Sequence, residues 1–309
     1  MSSQSRTERR HNPEIDLTID AIKPPRPGRW VAAGLTALII IWLAWTIITN
    51  QNLHWDVVAD YQFDGVILDG LWVTVQLTVI SMVIGVTLGV IAALMQLSDS
   101  RIMRLGAAAY LWFFRGTPLL VQLIFWFNIG LLFPTIAIGI PFGGPDLYSI
   151  STNSVITGFV AALLGLSINE GAYMSEIVRA GLQSVPAGQR EAAESMGMSR
   201  TQVMRRVVLP QAMRFIIPPT GNQFISMLKT TSLVSVIAGA DLLTVAQRLY
   251  LKNFEIIALL IVASIWYLIL TTLASIGQHF IERHYGRGYG TQTSLRTRTR
   301  RNLTIGKSA

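Results

Sequence analysis

Five apolar runs, at residues 30–48, 71–94, 111–133, 155–178 and 256–276, limit this chain more than any other feature of its sequence. Each is near the roughly 20 residues that a helix needs to cross the hydrocarbon core of a bilayer. A sixth stretch, 215–243, is just as apolar but contains Pro218, Pro219, Gly221 and Lys229, and reads as an irregular span. The composition agrees: 51% of the 309 residues are hydrophobic and 14% are charged, whereas soluble domains carry roughly a quarter charged residues. The expected fold class is therefore an all-α polytopic integral membrane protein with about six transmembrane helices.

The segments between the runs set its orientation. Residues 50–70 carry Asp56, Asp60, Asp64 and Asp69 with no Lys or Arg, and are expected outside. Arg6, Arg9, Arg10, Lys23, Arg26 and Arg29 precede the first run, Arg101 and Arg104 follow the second, and Arg283, Arg287 and an arginine-rich tail close the chain. Lys and Arg collect on the cytosolic side, so both termini and the arginine-rich segment 179–214 are expected there. The net charge of +8 is then a topology signal and not a sign of nucleic-acid binding. The first run has a polar lead of 29 residues and no small-residue cleavage site after it, so it reads as an uncleaved anchor, not a secretion signal. The tail "RTRTRR" reads as a solvated arm, able to meet anionic lipid head groups or to do nothing specific.

Few chemistries are available. The chain has no cysteine, and His11, His54, His279 and His284 are scattered without ligand spacing. A phosphate-binding loop needs Gly, four residues, then Gly-Lys-Ser/Thr. The sole Gly-Lys-Ser, at Gly306, has Arg301 where the first glycine belongs. With no catalytic triad or soluble carboxylate pair either, the chain is expected to be no enzyme and to bind no metal or cofactor of its own.

One polar segment stands out, "REAAESMGMSRTQVMRRVVLP" at residues 190–210. Pro186 suits a first helical turn, "AGQREAAESM" is rich in helix formers, and Gly197 supplies a left-handed stop. Ser199 with Gln202 forms a capping box that opens a second helix, which Pro210 is expected to interrupt. Ala192 and Ala193 leave a low surface beside Glu191 and Glu194, suited to docking another protein; a solvated amphipathic connector fits the same residues.

Glu191, Ala192, Ala193, Gly197, Val207, Leu209 and Pro210 resemble the EAA loop of ABC importer permeases, with Val207 where Ile is usual. "FFRGTPLLVQLIF", "NEGAYMSEIVRAGLQSVPAGQREAA" and "ISMLKTTSLVSVI" look like the polar amino-acid branch of that family, over residues 63–288. Trp112 departs from the acidic residue often found ahead of the first motif. The resemblance implies a translocation subunit in a bacterial cytoplasmic membrane with a type I permease core. Its implied partners are ABC ATPase subunits that use ATP and Mg, a second permease that is identical or related, and an extracytoplasmic amino-acid-binding protein. It implies a permease core at 63–282 with a coupling loop at 184–212; the cytosolic tail at 1–29 and the extra span at 30–49, read from charge and hydropathy, exceed the usual five-span core, and a basic tail follows at 283–309. Glu191, Ala192, Ala193, Gly197, Leu209 and Pro210 would couple to the ATPase.

Charges inside spans are costly and default to function. Arg115 or Lys229 with Glu170 would cage an amino-acid zwitterion; with Thr117 they are the candidate substrate-pathway residues. Arg115 is equally placed to snorkel, and Glu176 to pair with Arg179. An ion-gradient-driven transporter using the same carboxylates, or a non-transporting scaffold, are the competing readings. Gly85, Gly89, Ala92 and Ala93 recur at helical spacing and predict a close helix contact, within the chain or across a pair of chains. Trp30, Trp42, Trp45, Trp55 and Trp126 suit interfacial belts.

Overall fold

The computed structural model describes residues 27–139 and 146–285, so the basic tails before residue 27 and after residue 285 lie outside it. The chain divides after Leu53 into two compact units. The first contains helix α1 (Pro27–Ile48). No residue of its 31–48 window is buried and the mean hydropathy there is 2.3. A lone helix that is apolar all round has no face for water, and lipid is its natural solvent.

In the second unit, α2 (Trp55–Gln62) leads into α3 (Gly65–Gln96). Asp64 caps α3, its carboxylate accepting from the Val66 N–H at 2.8 Å. After α4 (Arg101–Gly116) and α5 (Leu119–Phe127) comes an antiparallel ribbon of β1 (Thr135–Gly139) and β2 (Asp146–Ser151), in which Ile136 faces Ile150. A short turn, α6 (Thr152–Val155), precedes α7 (Gly158–Gln183). Then come α8 (Ala187–Ser195), α9 (Arg200–Val203), α10 (Leu209–Thr230), α11 (Leu242–Asn253) and α12 (Ile256–Tyr285).

The α3–α7 pair is the spine, and glycine explains how closely it packs. A methyl added at Gly85 would lie 2.9 Å from Glu170 Cβ, and one at Gly89 would lie 2.5 Å from Met174 Cβ. The small-residue stripe therefore makes its contact within this chain. One end of the spine is sealed by Val58, Ile67, Leu242 and Val262, which join α2, α3, α11 and α12. The other is sealed by Met174, Val178 and Ala212, which carry the core out to Ala193 and Val203. Outward residues such as Trp72 and Val83 are 62% and 63% exposed. This arrangement suits lipid and not water.

Three of the expected elements differ. Residues 111–133 are not one straight span: α4 and α5 meet at 99°. Pro118 has no N–H to continue α4 and drives Thr117 into extended backbone (φ −107°, ψ 143°). The stretch 215–243 is irregular as expected, but its break is not at Pro218 and Pro219, which lie inside α10; the helix continues through a 3-10 turn, Thr231–Ile237, to a left-handed stop at Ala238, and the path bends by 46° into α11. Nor does Pro210 interrupt its helix. The chain passes from α9 to α10 through a π-helical turn, Met204–Val208, in which the Leu209 N–H reaches back five residues to the Met204 carbonyl. The wider turn just ahead of Pro210 gives its ring room against the preceding backbone. Among the described residues, three helices are long and apolar enough to cross a membrane (31–48, 65–96 and 256–285), or up to five if each bent pair is one span. α7 is long enough, but Asn169, Glu170, Glu176 and Arg179 interrupt its apolar sequence.

Candidate functional site: the polar loop and the intramembrane polar cluster

The segment 187–210 folds as two capped helices. Gly197 takes φ 80°, a left-handed conformation that favours glycine. The turn it ends is clamped by N–H groups of Met196, Gly197 and Met198 on the carbonyls of Ala192, Glu194 and Ala193, at 3.1, 2.9 and 3.2 Å. The Ser199–Gln202 capping box is formed. The two alanines part company: Ala192 is exposed, while Ala193 is buried against Val203 and Leu182 in the chain's own core. Glu191 and Glu194 are exposed and make no ion pair among the described residues, and Leu209 and Pro210 are exposed at the start of α10.

Two ties that the sequence did not announce fasten α8 to the long helices. The Arg190 guanidinium donates to the Leu182 carbonyl at 2.5 Å, and Gln211 on α10 donates to the Gln189 side chain at 2.5 Å. α8 is thus hydrogen-bonded to both α7 and α10.

Deeper in the bundle, polar side chains converge on α7. Glu170 is 6% exposed and forms no ion pair among the described residues. The Gln223 amide on α10 donates to its two oxygens at 3.2 and 3.4 Å. Arg115, in the last turn of α4, lies 3.9 Å from Glu176 and 5.5 Å from the centre of the Tyr173 ring, and Glu176 also accepts from Arg179 at 2.7 Å. Lys229 is exposed near the end of α10 and makes no ion pair among the described residues. The structure therefore brings neither Arg115 nor Lys229 into an ion pair with Glu170.

Thr117 belongs to the joint between α4 and α5. Gln122 donates to its hydroxyl at 2.8 Å, to its carbonyl at 3.1 Å and to the Phe114 carbonyl at 3.0 Å. Asn169, next to Glu170, donates to the same Phe114 carbonyl at 2.8 Å. A helix broken inside a membrane leaves carbonyls that neighbours must satisfy, and these two amides do so. Gln122, Asn169 and Gln223 were missed by sequence reasoning. The available signal was an amide inside an apolar run, four residues after Pro118 for Gln122, beside Glu170 for Asn169 and four residues after Pro219 for Gln223.

Comparison with known proteins gives a consistent result. The family described as "Binding-protein-dependent transport system inner membrane component" matches residues 85–287. The arginine transport system permease protein ArgU of Corynebacterium glutamicum is 44% identical over 91% of this chain and 86% of its own length. The L-cystine transport system permease protein TcyB of Bacillus subtilis is 39% identical over 76% and 92%. A chain from the crystal structure of an amino acid ABC transporter with histidines superposes with a TM-score of 0.62 at 35% identity, covering 73% of this chain and 97% of that one.

Proposed function

Because this chain belongs to the family of inner membrane components of binding-protein-dependent transport systems, we propose that it is the permease subunit of an importer for cationic amino acids, arginine foremost. The observation that carries the substrate class is Glu170. A carboxylate buried in a membrane helix without a cationic partner is costly, and Gln223 offers it only a neutral amide. A guanidinium or ammonium arriving from outside supplies the missing charge. The arginine system named for one relative supports the same choice.

The assembly follows the family pattern: two permease chains, a pair of ATPase subunits in the cytosol, and a binding protein that delivers substrate to the outer mouth. The six crossings are α1, α3, the bent α4–α5 pair, α7, α10 with α11, and α12, with both termini in the cytosol of a bacterial cell. Residues 1–29 and 283–309 are tails, 30–49 is an added span, and 63–282 is the translocation core. Glu191, Ala192, Gly197, Leu209 and Pro210 present the coupling surface, while Ala193 holds that surface to the core. When ATP closes the ATPase pair, α8 moves, and its ties to Leu182 and Gln211 swing α7 and α10 together. The walls carrying Glu170 and Gln223 are thereby exposed to the two sides in turn, a two-state equilibrium biased by nucleotide. Arg115, Thr117 and Lys229 act at the edges of this route, with Arg115 and Lys229 available to the substrate carboxylate.

The test is uptake by the reconstituted importer, blocked by vanadate, with arginine and glutamine in competition. Glu170→Gln is expected to reduce the preference for arginine by about tenfold to a hundredfold, the range for a hydrogen bond to a charged group. An unchanged preference would remove Glu170 from the substrate route.

A further inference from the structure

The loop 187–210 carries one residue that its proposed role does not yet use. Met196 is 84% exposed at the tip of the turn, the most exposed large apolar side chain among the described residues. Two residues later, Met198 is packed against the core beside Ala193 and Val203. The left-handed Gly197 between them sends one methionine inward and the other outward. A single exposed apolar residue is ordinary on a protein surface; the setting of this one is not. Its backbone is clamped by the three hydrogen bonds of the turn and by the capping box that follows, so little conformational freedom remains to be lost on docking. It is also flanked by exposed charges of opposite sign, none ion-paired among the described residues. Glu191 and Glu194 lie on the α8 side, and Arg200, Arg205 and Arg206 lie on the other.

We propose that Met196 is the apolar anchor of the ATPase interface, and that the groove receiving it has an apolar floor, basic groups along the α8 side and acidic groups along the α9 side. This rests on the importer reading above and adds the polarity of docking. A flexible thioether fills an irregular pocket with little strain, and the flanking charges allow only one of the two antiparallel orientations.

The chain contains no cysteine, so single-cysteine variants report without background. In the assembled complex, Met196→Cys is expected to react with a charged maleimide at least about tenfold more slowly than in membranes stripped of the ATPase, as for a residue at the centre of an interface. Met196→Leu should retain the ATPase through purification, whereas Met196→Asp should lose most of it, with membrane insertion and thermal stability unchanged because the side chain touches no core. If Glu191→Cys is protected and Met196→Cys is not, the ATPase docks on the loop and the anchor assignment is overturned. Retention of the ATPase by Met196→Asp overturns it as well. Protection at neither position, with no ATPase retained by the unaltered chain, overturns the importer reading itself.

Discussion

Replacing Gly89 by alanine tests the α3–α7 spine directly. The added methyl would sit 2.5 Å from Met174 Cβ, 2.9 Å from the Ser175 nitrogen and 3.0 Å from the Met174 carbonyl carbon. Carbon atoms rest at about 3.5–4.0 Å, so the helices must part by about 1 Å. Two of the three obstacles are backbone, which no change of rotamer relieves. The cost belongs at the upper end of the 1–3 kcal/mol typical of overpacking, about 3 kcal/mol, offset by about 1 kcal/mol from the better helix propensity of alanine. Gly106→Ala is the matched control: its nearest neighbour is Met95 Cε at 3.5 Å, an ordinary contact, so only the gain of about 1 kcal/mol remains. Thermal unfolding of the purified chain in detergent, followed by tryptophan fluorescence, should place Gly89→Ala about 3 °C below the unaltered protein and Gly106→Ala about 1–2 °C above it. If Gly89→Ala unfolds at or above the temperature of the unaltered protein, the close approach of α3 and α7 is wrong.

Asn169→Leu removes a donor from the Phe114 carbonyl and from the α4–α5 joint, at a cost of about 1–3 kcal/mol for a buried polar group left short of a partner. Its signature is faster proteolysis near residues 115–118 in native membranes; unaltered cleavage would show that Gln122 holds the joint alone. Gly197→Val forces a β-branched residue to φ 80°, costing about 1–2 kcal/mol locally. ATP-driven uptake should fall while insertion into the membrane stays normal, and full uptake would exclude the turn from coupling.

What the sequence revealed, and what it hid, follows from how local each feature is. Gly197, Ser199 and Gln202 act through backbone within a few residues of themselves, so the turn and the capping box were readable from spacing. Pro118 removes one helix hydrogen bond near Arg115, but the 99° bend depends on what packs against both arms, and those partners are 47 to 55 residues away in sequence. The stripe of Gly85 and Gly89 announced a close contact and could not name α7, because a flat helix face accepts any neighbour. Glu170 and Lys229 stood out as charges in apolar surroundings. Their separation into a buried acid with an amide partner and an exposed lysine is decided by helix rotation, which a hydropathy run does not encode. Pro218 and Pro219 misled for a related reason: a proline removes one bond, but the rest of the ladder and the burial of Ala212, Ile216, Met227 and Leu228 keep the helix whole.

The π-helical turn at Met204–Val208 acts as a phase shifter. The buried residues Val203, Val208, Ala212 and Ile216 are spaced by five, four and four. On a plain α-helix, at about 100° per residue, a step of five would leave Val203 about 140° out of line with the rest. The extra residue in the wide turn restores the alignment, so α9 and α10 show the core one continuous face. The length of the segment between Gly197 and Pro210 is therefore itself a structural parameter. The loop is timed against the membrane helix by residue count, and side chains there can vary more freely than the number of residues between those two landmarks.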